Sequence, residues 1–151
     1  MTTNETTRPR IYITRRIPGS GLAIIQTAGE VRIWPGEQPP PKEVILREVA
    51  ECAGLLCLLT DPIDAQVIAA GKGLRVISQM AVGVDNVDLA AATARGIPVG
   101  HTPDVLTEAT ADLALALLLA AARRIPEAVD KVRSGRWHTW EPLGLLGADV
   151  W

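Results

Sequence analysis

Gly54-Leu55-Leu56-Cys57-Leu58-Leu59, then residues 65–70, then Gly71-Lys72-Gly73, then Leu74-Arg75-Val76-Ile77-Ser78-Gln79: this passage decides the fold. Its first run is short, apolar and bounded by a polar loop, which predicts a fully buried strand. Thr60-Asp61-Pro62-Ile63-Asp64 reads as a loop and helix start, residues 65–70 as the helix, and the Gly-Lys-Gly triplet as its terminator. Residues 74–79 predict the next strand. A strand, a helix and a strand in that order form a crossover unit, and such units join parallel strands.

The alternation extends in both directions. Upstream, Ile11-Tyr12-Ile13-Thr14 is a β-branched run that predicts a first strand. Pro18-Gly19-Ser20-Gly21 breaks the chain and opens a helix through Leu22, Ile25 and Ala28, which Gly29 ends as a C-cap glycine would. Residues 30–34 alternate polar and apolar, as a half-buried strand does. After a Pro-rich loop, residues 42–52 place Val44, Ile45, Val49 and Cys52 at helical spacing. Downstream, residues 88–95 predict a short helix closed by Gly96, and Ile97-Pro98-Val99 a last short strand. Strands alternating with helices every ~20–25 residues predict an α/β fold, a flavodoxin-like doubly wound and mainly parallel sheet with right-handed crossovers.

Beyond Val99 the character changes. His101-Thr102-Pro103-Asp104 is a break, and Thr107 is placed to cap a long helix, with Glu108 and Asp112 early in it and Arg123-Arg124 at its far end. Pro126 is expected to stop that helix. Leu113, Leu115, Leu117, Leu118 and Leu119 point all round its axis, so it requires a second domain or a second subunit to cover it. The chain therefore divides into a disordered tail (1–10), an α/β domain (11–100), and a hinge, long helix and arm (101–151).

Composition bounds the function. The chain has 151 residues, 48% hydrophobic, with a net charge of -2. Phe is absent and Tyr12 is the only tyrosine, so the core is aliphatic. A sequence pI of about 5.7 argues against non-specific nucleic-acid binding, which needs clustered Lys and Arg. Cys52 and Cys57 read as two reduced, buried thiols. Together with two His they show no metal-ligand spacing. Residues 1–10 are polar and lack the apolar core of a signal peptide. The longest apolar run, residues 113–122, is about half the ~20 residues a membrane span needs, which predicts a cytoplasmic protein without membrane contact.

Three loops lie at the carboxyl ends of predicted strands, where open α/β sheets bind ligands. They are Leu59-Thr60-Asp61, Met80-Ala81-Val82-Gly83 and His101-Thr102-Pro103. Gly83 either lets an anion approach backbone N–H groups or relieves strain in the Val82-Gly83-Val84-Asp85 turn. Thr107 is a cap alone, or a cap whose helix start faces a phosphate. His101 is either an acid/base or a structural residue. Asp61, Asp64 and Asp85 suit capping and turn roles. Gly19-Ser20-Gly21 lacks the spacing of a nucleophile elbow. Trp137 and Trp140, in a segment with little else apolar, either need a partner surface or strap the domain.

Three linked segments carry a resemblance: Val82-Gly83-Val84-Asp85-Asn86-Val87-Asp88, Arg95-Gly96-Ile97-Pro98-Val99, and Thr102-Pro103-Asp104-Val105-Leu106-Thr107-Glu108-Ala109-Thr110-Ala111-Asp112. In this order they resemble the D-isomer-specific 2-hydroxyacid dehydrogenase family. Gly54 to Leu59 and Trp137-x-x-Trp140-x-Pro142-Leu143 resemble its glyoxylate/hydroxypyruvate reductase branch, and the similarity runs from Ile11 to the end. The resemblance implies hydride transfer from NADH or NADPH to a small 2-oxo acid, giving a D-2-hydroxy acid. It implies that the backbone N–H groups of Val82 and Gly83 hold the substrate carboxylate and that Leu59 and Thr60 line the same cleft. It further implies that Thr107 approaches the cofactor, that Trp140 reaches a partner subunit's site, and that the long helix and arm build a homodimer. The family's dinucleotide fingerprint, substrate-clamping Arg and Glu–His acid/base pair have no counterpart in residues 1–151. No catalytic residue is therefore expected in this chain. The Rossmann cofactor domain is missing, and the chain reads as an N-terminal portion that is inactive alone. The alternatives are a non-catalytic carboxylate-binding or dimerisation module and, within enzymes, part of a phosphoglycerate dehydrogenase.

Overall fold

The computed structural model describes residues 8–150. These form two compact units, one reaching to Asp104 and one starting at Val105. The first contains β1 (Arg10–Ile13), α1 (Gly19–Ala28), β2 (Glu30–Ile33), α2 (Lys42–Val49), β3 (Gly54–Cys57), α3 (Ala65–Ala70), β4 (Val76–Gln79), α4 (Leu89–Ala94) and β5 (Val99–Gly100). The second contains α5 (Thr107–Ala122) and α6 (Ile125–Arg133). Of the expected 1–10 tail, residues 1–7 lie outside the described residues. Arg8 donates to the carbonyls of Gln26 (2.6 Å) and Thr27 (3.1 Å), and Arg10 already belongs to β1.

The sheet has the order β2-β1-β3-β4-β5, and every neighbouring pair is parallel. This is the doubly wound order that the alternation of elements predicts. Period-two geometry sends Tyr12, Leu55 and Ile77 to one face in register, where they meet Ile45 and Val49 of α2, Val67 and Ile68 of α3, and Ala92 of α4. All of these core side chains are almost fully buried, and the core is aliphatic apart from Tyr12 and two thiols. Asp64 caps α3 by accepting from the Val67 N–H (3.1 Å), and Asp88 caps α4 through the Ala91 N–H (2.9 Å). A hydrogen bond from Lys42 holds the Asp64 carboxyl below the usual carboxylate range.

Three expectations need correction. Gly29 does end α1 at its C-cap, but in an extended conformation (φ -170°) rather than the left-handed one of a capping glycine. It is glycine because a Cβ there would collide with the Pro9 carbonyl and crowd the Ile11 side chain. Thr107 is the first residue of α5, not its cap: Leu106 occupies that position and makes no side-chain capping bond. Pro126 does not merely end a helix; α5 gives way to Arg124 in the left-handed region (φ 53°), and Pro126 then sits in the first turn of α6. No residue of α5 is buried in this chain. No helix among the described residues is long and apolar enough to cross a membrane.

Candidate functional site

Because all five strands are parallel, their carboxyl ends share one edge. That edge gathers the loops after β1, β3, β4 and β5. It brings together four expected site residues, Leu59 and Thr60 after β3 and Val82 and Gly83 after β4. Leu59 and Val82, with Met80, are exposed apolar side chains there. Thr107 and Trp140 belong to the second compact unit.

The loop after β3 is shaped around Asp61, whose side chain is fully buried. Its Oδ2 accepts from the Leu58 N–H (2.8 Å) and the Thr14 hydroxyl, and its Oδ1 from Arg15 Nη2 (3.1 Å). Arg15 Nη2 also reaches Thr60 Oγ1 (2.8 Å), and Nη1 donates to the Thr14 carbonyl (2.7 Å). A buried carboxylate of this kind is tolerable only when paired and hydrogen-bonded, and here the Thr14–Asp61, Arg15–Asp61 and Arg15–Thr60 contacts draw the β1 and β3 loops together.

The turn after β4 is tied to that loop by Asn86 and Gln79. Asn86 Nδ2 donates to the carbonyls of Leu58 (3.0 Å) and Asp61 (2.8 Å), while its Oδ1 accepts from Gln79 Nε2 (2.7 Å). Gln79 Nε2 also approaches the Gly83 carbonyl (3.4 Å), and Gln79 Oε1 accepts from the Cys57 thiol (3.1 Å). The relay has one direction. Two carbonyls can only accept, so Asn86 must present its amide nitrogen to them and its oxygen to Gln79; Gln79 must then present nitrogen to Asn86 and oxygen to Cys57. Cys57 must keep its proton. Burial, with the Asp61 charge nearby, pushes its thiol up to about 12.

The N–H groups of Val82 and Gly83 donate no hydrogen bond among the described residues. Gly83 does not have a positive φ, and a Cβ there would meet only the Asp85 Oδ2, at 3.3 Å. Turn strain therefore does not account for the glycine. On the far side of the turn, His101 Nδ1 lies 2.9 Å from the Val82 carbonyl and the Thr102 N–H donates to the Ala81 carbonyl (3.0 Å). Trp137 and Trp140 are 57% and 77% exposed.

Sequence reading finds the two central loops but misses Arg15, Gln79 and Asn86. Gln79 carries a signal: a strand-end amide in an otherwise apolar core must be hydrogen-bonded, so it marks a polar network. Arg15 and Asn86 carry none, because their partners lie 46 and 25–28 residues away in sequence.

A glyoxylate reductase of Korarchaeum cryptofilum is 52% identical over 145 residues, covering 95% of this chain and 44% of the relative. A Thermus thermophilus protein of known crystal structure superposes with a TM-score of 0.87 at 50% identity, covering 93% of this chain and 45% of that one. An NADPH-dependent glyoxylate/hydroxypyruvate reductase of Sinorhizobium meliloti, solved with NADP and malonate, superposes with a TM-score of 0.70 at 31% identity, covering 91% of this chain and 43% of that one. The chain thus spans less than half the length of these relatives. Residues 11–143 match the catalytic domain of D-isomer specific 2-hydroxyacid dehydrogenases. With a parallel sheet whose carboxyl edge carries the Val82–Gly83 turn, the chain belongs to that family.

Proposed function

We propose that this chain supplies the substrate-binding part of an NAD(P)H-dependent reductase that converts glyoxylate or hydroxypyruvate into a D-2-hydroxy acid. The observation that carries the reading is the pair of N–H groups at Val82 and Gly83, which donate no hydrogen bond among the described residues, beside a glycine without a positive φ whose Cβ would crowd only the Asp85 side chain. Consecutive free amides make a small-anion site, and a 2-oxo acid presents a carboxylate to them. Leu59 and Thr60 form the neighbouring wall. Its shape is fixed by the Arg15–Asp61 pair, and its apolar part excludes water from the bound acid.

The nicotinamide supplies the hydride when bound. The start of α5 suits an approaching cofactor phosphate, since Leu106 leaves the first-turn N–H groups without a side-chain cap; Thr107 sits there. The Sinorhizobium relative in complex with NADP and malonate supports both the cofactor class and a carboxylate ligand. His101 is not assigned as acid or base, because its Nδ1 is engaged by a backbone carbonyl. The proton donor, the Arg clamp and most of the cofactor contacts are assigned to a nucleotide-binding domain outside residues 1–151. We also assign α5 and the arm with Trp140 to a homodimer interface. By this reading residues 1–151 alone bind the acid and do not reduce it.

The test is a titration of the 15N-labelled chain with glyoxylate and, separately, malonate. Saturable shifts centred on the Val82 and Gly83 amides are expected, and Gly83→Val abolishes them while the rest of the spectrum persists. Shifts elsewhere, or none, would remove the site. NADH and NADPH oxidation with glyoxylate stays at background; turnover in the ordinary enzymatic range, ~1–1000 per second, would overturn the division of labour.

A further inference from the structure

We infer that His101 is a positioning residue that aims the anion-binding amides through the Val82 carbonyl, an assignment that rests on the proposed carboxylate site. A trans peptide holds its C=O and N–H pointing in opposite directions. The Val82 carbonyl is held by His101 Nδ1 at 2.9 Å, so the Gly83 N–H points away from His101. The Ala81 carbonyl is held by the Thr102 N–H at 3.0 Å, so the Val82 N–H points away from Thr102. Residues 101 and 102 follow β5, and β4 lies between β5 and β3 in the sheet. Away from the β5 loop is therefore toward the β3 side, where Leu59 and Thr60 stand. Two successive peptide planes, both anchored on the same side, present both donors to the same space.

The two anchors differ in kind. Thr102 uses its backbone and tolerates any residue but proline. His101 uses a side chain that is exposed, and its ring makes no second hydrogen bond among the described residues. A carbonyl only accepts, so His101 must carry its proton on Nδ1. Asn places a side-chain N–H two bonds beyond Cβ, as the Nδ1 of His is, whereas Leu matches the shape of Asn and has no donor.

Two measurements test the assignment. The first is independent of any anion: imidazole 15N shifts of the folded chain are expected to show His101 protonated on Nδ1 near neutral pH. An unprotonated Nδ1 would overturn the contact. The second is the malonate titration of wild type, His101→Leu and His101→Asn. His101→Leu is expected to bind about fivefold more weakly, the ratio set by one neutral hydrogen bond, with His101→Asn restored to near wild type and all three unfolding together. Equal binding by wild type and His101→Leu sinks the positioning role while leaving the carboxylate site intact. Absence of saturable Gly83 shifts in wild type sinks the site itself, and with it this role.

Discussion

At the scale of single residues, the directed relay from Cys57 through Gln79 to Asn86 makes the sharpest claims. Asn86→Asp is nearly isosteric but replaces a donor with a charge facing the Leu58 and Asp61 carbonyls. It is expected to cost ~2–4 kcal/mol in urea unfolding, as a partly buried polar group that loses its partners and gains a charge facing two carbonyls does; a loss below about 1 kcal/mol would show that the relay does not hold the turn. The thiol makes a second claim. Burial raises Cys57 from 9.0 and Tyr12 from 10.0, each to about 12. Groups with raised folded values contribute stability that is intact below their unfolded values and lost as pH rises through the folded ones. The unfolding free energy is therefore expected to fall between pH 9 and about 12, with little change from these groups below pH 9. Cys57→Ser keeps a donor without a thiol to titrate, so its decline is expected to be shallower; an identical slope would remove Cys57 from the account. Sequence names Val82, Gly83, Leu59 and Thr60, because loop position after a strand is a local property. It does not name Asn86 or Arg15, because what they do is set by partners that only the fold brings near.

Among the elements, glycines separate what sequence foretells from what it does not. Gly96 is expected to end α4, and it does: its φ of 65° lies in the left-handed region, and the Ile97 N–H beyond it bonds back to the Ala92 carbonyl at 2.9 Å. Gly29 carries the same expectation and has another reason to be glycine, the close passage of the chain at Pro9. The two substitutions are expected to differ accordingly. Gly96→Ala costs ~1 kcal/mol, the strain of a left-handed residue bearing a Cβ. Gly29→Ala costs more, because a backbone carbonyl rather than a flexible side chain must move. Chemical denaturation of the pair checks this, and a Gly29→Ala protein as stable as Gly96→Ala would mean that the strand entrance yields easily. Helix existence is legible throughout the first unit because period and punctuation agree. The α5 start falls one residue from its expected place: Leu106 holds the cap position without a capping bond, and a leucine carries no side-chain signal of a cap, whereas the Thr beside it does.

For the whole molecule, a parallel, doubly wound sheet follows from the alternation of elements, since parallel pairing with crossovers leaves few topologies, while the order β2-β1-β3-β4-β5 is read from the structure. What covers α5 does not follow. Leu113, Leu115, Leu117 and Leu118 are each more than half exposed. A contiguous apolar surface of this kind drives association, so light scattering at tens of micromolar is expected to report dimers or larger species. Glu in place of Leu113 and Leu117 is expected to shift the population to monomer, and a wild-type chain that stays monomeric would contradict the interface role given to α5. The Cys57–Gln79–Asn86 relay crosses from β3 to β4 and on to the loop beyond, and its one-way polarity reaches past any single molecule into descent. Serine can succeed Cys57 in one step, since it also donates. Gln79 and Asn86 have no such neighbour, because changing either strands the other. Drift at these two positions is gated by an unfit intermediate, so among descendants of this gene the two amides are expected to persist together or to disappear together.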